Sequence, residues 1–242
     1  MASYPSWLID DHIEWRKIYA EKTSGRLDVA FNARDALFYL VRQDKVDILN
    51  GISGNMDKIT VEKGYPVMEY TDHLVYDTLT NQLFSYSLHE KLVSFLSVDE
   101  RTWSLSERHL DEPRYYNHAR TFNSSDSSFY FFGGYGFYQY RNDLYRLKVG
   151  TKQIEGVTYS PAISPRYSSA AAIVGDELYL FGGRGNRQGK QEFNAHFYYE
   201  LCAINLKTGK SRCVWKKRQS TDILMMASSM YFEPSDLSLI HI

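Results

Sequence analysis

Apolar residues along this chain arrive in short alternating runs cut by polar turns. The stretches "VAFNARDALFYLV", "LVYDTLTNQLFSYS", "ARTFNSSDSSFYFF" and "AAIVGDELYLF" each read as a strand, a turn and a second strand, the pattern of a β-hairpin. Third strands follow in "NDLYRLKV" and "YYELCAINL". Fourth strands follow in "TWSLSE" from Thr102, "EGVTYS" from Glu155 and "SRCVWKK" from Ser211. No stretch sustains a 3.6-residue apolar period. The segment "WLIDDHIEWRKIYAEK" near the N-terminus reads equally as a helix and as the outer strand of a preceding unit.

The hairpins recur at a fixed period. Taking the apolar residue that opens each second strand, Leu37, Leu83, Phe129 and Leu178 follow one another at 46, 46 and 49 residues. Lys45 and Lys91, each ahead of a further alternating run, repeat the 46-residue step. Proline-bearing connections, "GYPV", "DEPRYYNHA" and "SPRYSSAA", lead from one unit to the next. Units this short cannot bury both faces of their own sheet. Stacked around an axis they bury one another, so the expected fold is all-β: a β-propeller of four-stranded antiparallel blades. The expected blades span about 21–64, 65–111, 112–163 and 164–220, after a remnant or extension at 1–20. Residues 221–236 read as the first strand and turn of a further blade whose second strand does not arrive. The ending "LSLIHI", residues 237–242, resembles sequencing-adapter read-through and is expected to be non-native; a short closing strand is the other reading. Such a partial propeller is expected to expose its edges and aggregate when expressed alone.

The stretch "PRYSSAAAIVGDELYLFGG", Pro165 to Gly183, closely resembles a kelch unit, supported by "NDLYRL" at Asn142 and by Trp103 and Trp215 near the ends of their blades. The chain from about residue 21 thus resembles the kelch-repeat propellers, the broad group that includes the central domain of galactose oxidase. The first two units depart from the pattern, with Tyr39-Leu40 and Ser85-Tyr86 in place of the glycine pair. The third lacks a late Trp, and Cys202 stands where Tyr145 stands one unit earlier. The resemblance implies a non-catalytic recognition module for a protein or glycan, in some bacteria the sensing half of a membrane-bound regulator. That setting would place it in the periplasm or outside the cell, and otherwise in the cytoplasm. A carbohydrate-active oxidase, lyase or epimerase on the same fold is the alternative.

Composition agrees with a sheet protein. The chain has 242 residues, 43% hydrophobic, with 20 Tyr and 13 Phe against 6 Pro, and aromatic residues suit pleated, half-buried surfaces. The 28 basic and 29 acidic residues leave a net charge of -1, which gives no basic excess for nucleic acid. No apolar run approaches the ~20 residues that span a bilayer, and the start lacks a secretion-signal pattern. The two cysteines, Cys202 and Cys213, flank "NLKTGK". They read as strand thiols of one hairpin, or as a disulfide in an oxidising compartment.

"FFGGYG" and "LFGGRG" raise the question of a phosphate loop. Neither has the G-x-G-x-x-G spacing ahead of a helix. Gly133, Gly134, Gly182 and Gly183 are therefore read as structural, at positions needing φ > 0 or close backbone approach. Candidate binding residues lie just beyond them, in loops expected on the face that carries the blade connections. "YGFYQYRN" supplies Tyr135, Tyr138 and Tyr140. "RGNRQGKQEFNAH" supplies Arg184, Arg187 and His196. The blade connections supply Arg114 and Arg166. Aromatic rings beside arginine suit glycan or peptide recognition. The competing reading packs the tyrosines between blades and leaves the arginines solvated. A copper-radical site would need two Tyr, two His and a Cys on one metal. His118 lies near an inner strand, but Cys202 sits in a third strand and no ligand spacing is present. Neither a metal, a cofactor nor a catalytic residue is expected.

Overall fold

The computed structural model describes residues 17–22, 25–32, 34–66, 73–87, 92–105, 116–123, 125–217, 230–233 and 238–241. Among them no helix occurs; residues 17–22 form neither helix nor strand, and the rest of the N-terminal helix-or-strand segment lies outside the described residues. Four antiparallel sheets follow in chain order. The first holds β1 (Asp28–Asn32), β2 (Leu37–Val41), β3 (Val46–Asn50) and β4 (Met56–Ile59). The second holds β5 (His73–Asp77), β6 (Gln82–Ser87), β7 (Leu92–Ser97) and β8 (Thr102–Leu105). The third is built from β9 (Ala119–Asn123) and β10 (Ser128–Phe132). A small hairpin, β11 (Tyr135–Gly136) and β12 (Gln139–Tyr140), then precedes β13 (Leu144–Lys148) and β14 (Gln153–Val157). The fourth holds β15 (Arg166–Val174), β16 (Glu177–Gly185), the short β17 (His196–Phe197), β18 (Glu200–Asn205) and β19 (Ser211–Lys216). This is the all-β, four-strand-per-blade architecture of a partial propeller. β4 carried no signal in the sequence reading.

Short polar side chains make the hairpins. Asn32, Asp77 and Asn123 end their first strands, and each accepts hydrogen bonds from the backbone of the turn that follows: from Arg34, from Leu79 and Thr80, and from Ser125. These are Asx turns. Each turn closes through a residue at positive φ, Ala36, Asn81 and Ser127. The fourth sheet replaces this turn with a two-residue one, with Gly175 at φ 58°.

These turns correct the repeat register. The second strands open at Leu37, Gln82, Ser128 and Glu177, so the counterpart of Leu83, Phe129 and Leu178 is Phe38, not Leu37. The first step is 45 residues, from 38 to 83. Because side chains alternate faces, the one-residue difference reverses direction. Leu83 and Leu178 face the preceding sheet, whereas Leu37 packs forward onto the second.

Three apolar layers join the four sheets. Tyr39, Val41 and Val46 meet Tyr76, Leu83, Leu96 and Trp103. Phe84, Tyr86 and Val93 meet Phe129, Phe131 and Leu147. Tyr130, Phe132 and Leu144 meet Leu178, Leu180, Cys202 and Ile204. β1 lies beside β5, and β9 beside β15, so the first strands line one side of the stack. Beyond the fourth sheet, β20 (Met230–Glu233) lies against β15 and pairs with β21 (Ser238–His241). Ser238–His241 thus forms a strand within the ending for which a short closing strand is the other reading. "SLIH" holds the short apolar run that a strand requires.

Candidate functional site

The hairpin β11–β12 turns at Phe137 and Tyr138, with φ of 49° and 61°. Two consecutive left-handed residues define a type I′ turn, normally built from Asn and Gly. Two aromatic residues in that conformation are strained, and both are exposed, at 61% and 75%. Packing does not account for their presence.

The second insertion, beyond β16, lies alongside this hairpin. Asn186 folds it by donating to the carbonyls of Lys190 and Phe193 at 2.7 and 3.0 Å. The Tyr140 amide then donates to the Gly189 carbonyl at 2.7 Å, and the Gln191 amide to the Tyr138 carbonyl at 2.9 Å. Gln139 and Lys190 form a bridge in the same row. A third segment, entering β9, pairs Tyr116 with Tyr135 through both backbone bonds, 2.7 and 2.9 Å. Three loops distant in sequence thus form one surface. A shallow cleft of about 440 Å³ lies between Phe137, Tyr138 and Gln139 on one side and Lys190, Gln191 and Glu192 on the other.

Beneath the tip, Tyr135 and Tyr140 are half-buried and pack with Tyr167, the Tyr140 and Tyr167 rings lying nearly parallel 5.8 Å apart. The Tyr135 hydroxyl donates to the Gln191 side chain. Burial and the neighbouring phenols raise the Tyr135 pKa, so it stays a neutral donor. Two of the three candidate tyrosines therefore support the platform, and Tyr138 is presented on it.

The cations divide in the same way. Arg184 and Arg187 are exposed and have no ion-pair partner among the described residues. Arg184 lies over the Phe197 ring at 5.3 Å. His196 is exposed, its ring 4.6 Å from that of Tyr198. Arg166 departs from the expectation of a loop ligand because it is fully buried. Its guanidinium donates to the Ser164 and Gly182 carbonyls and to Glu200 Oε1 at 2.6 Å, and lies over Tyr198 at 3.9 Å. Burial would raise the Glu200 pKa, but Arg166 and Lys216 hold it below the usual carboxylate value. Arg114 lies outside the described residues.

The glycine pairs fix the base of this surface. Gly133, Gly134, Gly182 and Gly183 all have positive φ. A Cβ on Gly133 would stand 2.4 Å from the Arg166 carbonyl, which accepts the Gly134 amide at 2.9 Å. Gly182 and Gly183 lie within β16, which continues as strand to Gly185. Trp103 and Trp215 do not share a role. Trp103 is buried against the first sheet. Trp215 pairs with Leu201 and packs on Phe181, on the opposite face, and is 46% exposed. The register partner of Trp103 in the fourth sheet is Ser211.

Among the described residues no three His, Cys, Asp or Glu side chains converge on a position that could hold a metal ion. His118 is buried, with Nε2 3.2 Å from the Tyr86 hydroxyl. No helix among the described residues is long and apolar enough to cross a membrane. The signal missed in sequence was Gln191 and Gly189, whose backbone joins the two insertions; a pairing between loops leaves no local pattern.

No curated protein matches the chain. Residues 64–232 match the family model described as the KLHDC2/KLHL20/DRC7 Kelch-repeats domain, and the unmatched first sheet repeats the strand order of the second. With more than half its length matched, and with consecutive four-stranded blades, the chain belongs to the Kelch-repeat family of protein-binding propeller modules.

Proposed function

We propose that this chain is a non-catalytic recognition module that binds an acidic, partly apolar segment of a partner protein on the loop surface of its third and fourth blades. The observation that carries this reading is the strained, exposed Phe137–Tyr138 tip beside the cleft at Lys190–Glu192. Exposed aromatics supply contact area at low entropic cost. Arg184 and Arg187, without carboxylate partners among the described residues, supply the charge that an acidic segment would neutralise. Peptide arrays that vary acidic content at constant length test the reading. Binding of acidic peptides is expected, falling with salt and weakened roughly tenfold or more in Arg184→Ala/Arg187→Ala. Equal binding of neutral peptides, or binding untouched by that variant, overturns it.

A glycan ligand is the second reading, favoured by the open ring of Tyr138. Screening neutral oligosaccharides against the wild type and Tyr138→Ala separates the two. Saccharide binding that Tyr138→Ala abolishes and Arg184→Ala/Arg187→Ala leaves intact selects the glycan. Turnover of any saccharide would select the carbohydrate-active enzyme instead.

A further inference from the structure

Cys202 and Cys213 are direct partners across β18 and β19. The hairpin turn fixes what kind of pair they make. The Asn205 amide donates to the Lys210 carbonyl at 2.8 Å, so 205 and 210 form a hydrogen-bonded pair. Alternation along the register through 204–211 and 203–212 makes Cys202 and Cys213 a non-hydrogen-bonded pair. Such pairs hold their Cα atoms about 4.5 Å apart, within the roughly 4.4–6.8 Å that a disulfide spans. Both thiols are free. The register slips immediately beyond them, between Leu201 and Cys202, where strand pairing is weakest and most able to adjust.

The two sulfurs differ in a way that suits a sequential reaction. Cys213 is exposed, on a strand of which five of the six residues are exposed. Cys202 is buried in the layer between the third and fourth sheets, its thiol beside Glu200 Oε1 at 3.8 Å. Burial first, with the Glu200 carboxylate opposing Arg166, pushes the Cys202 thiol up to about 12. It is therefore poorly reactive toward solutes, but it directly faces anything attached to Cys213.

We propose that Cys202 and Cys213 form a redox-closable latch, converted by glutathione disulfide or a related small disulfide into a cross-strand bond that ties β19 to β18. The Cys213 thiolate attacks one sulfur of the small disulfide and expels one thiolate, leaving a mixed disulfide on Cys213. The Cys202 thiol gives up its proton to solvent and attacks the Cys213 sulfur. The bond to the small thiol breaks, and that second thiolate takes up a proton. Two protein thiols are oxidised to one disulfide, and one small disulfide is reduced to two thiols. The product ties the least buried strand of the fourth blade to its neighbour β18, independently of what the loop surface binds.

The full chain is equilibrated in glutathione redox buffers, quenched with acid and alkylated, and its intact mass is measured. Wild type is expected to lose two hydrogens as a monomer and to resist alkylation at both cysteines. Cys202→Ala is expected to stop at a single glutathione adduct on Cys213, and Cys213→Ala to acquire none. Hydrogen exchange of β19 amides is expected to slow roughly tenfold on oxidation of wild type, and not in either variant. Accumulation of the Cys213 adduct in wild type without closure, disulfide-linked dimers in place of the monomer, or unchanged β19 exchange after closure would each overturn the proposal.

Discussion

Arg166 and Glu200 form a buried ion pair whose strength depends on both members staying charged. The Arg166 side chain has no exposed surface, and that of Glu200 retains 11%. Removing one partner leaves the other charge buried, so Glu200→Gln should destabilise the fold by about 3 kcal/mol, read as a lowered urea midpoint. The pH dependence has a fixed sign. The folded-state pKa of Glu200 lies below that of an ordinary glutamate. Its contribution is therefore complete above that value and is lost as pH falls through the depressed folded pKa. Glu200→Gln should show a flatter acid limb than wild type below the ordinary glutamate pKa, and a parallel profile above it. Backbone conformation decides a second residue. Gly133→Ala combines φ of 70° with a Cβ 2.4 Å from a carbonyl oxygen, whereas Gly175→Ala, at φ 58°, meets nothing within 4 Å. The first should cost at least about 2 kcal/mol and the second roughly 1 kcal/mol, distinguishable by denaturant titration of the two variants.

Among the elements, the β11–β12 hairpin is the one whose sequence conflicts with its conformation. Its turn requires left-handed residues and holds Phe137 and Tyr138. Replacing them with Asn-Gly satisfies the turn and should stabilise the protein by about 1 kcal/mol. Under the proposed function the same variant should lose partner binding. A rise in thermal midpoint together with retained binding would remove the tip from the recognition surface. The Asx turns show the opposite case, in which sequence and conformation agree: Asn32, Asp77 and Asn123 each bond the turn that follows. Their spacing of 45 and 46 residues is the more faithful repeat marker. Apolar anchors alone placed Leu37 one position early, because neighbouring residues of a strand buried on both faces are both apolar.

For the whole molecule, stability resides between sheets, in the three shared apolar layers. Trp103 fills the first of these at 4% exposure, whereas Trp215 stands on a sheet face at 46%. Trp103→Ala should cost roughly 3–5 kcal/mol and Trp215→Ala well under 1 kcal/mol, a contrast that paired urea melts would resolve. Each end sheet carries exposed apolar side chains, Val29 and Phe31 on the first and Val214 and Trp215 on the fourth. Sedimentation of the isolated chain should accordingly show concentration-dependent association. Phe31→Lys and Trp215→Lys should reduce it, while a monodisperse wild-type monomer at high concentration would show that these faces are not adhesive.

The sequence by itself determined the strand–turn–strand units, their period and hence the propeller class, because alternation and Asx or glycine turns are local and recur in each unit. It also marked the two insertions as candidate binding loops, since they interrupt the repeat between its second and third strands. Tertiary structure decided the direction in which each side chain points. Arg166 went inward because Glu200, 34 residues away, neutralises it there. Trp103 and Trp215 took opposite faces because a bulge shifts one register and not the other. Three loops became one surface only through backbone bonds between separate segments, Tyr116 to Tyr135 and, across more than 50 residues, Gln191 to Tyr138. Local patterns fix which residues form a strand. Which of its neighbours it meets depends on register and on charge partners distant in the chain, and these exist only once the sheets have stacked.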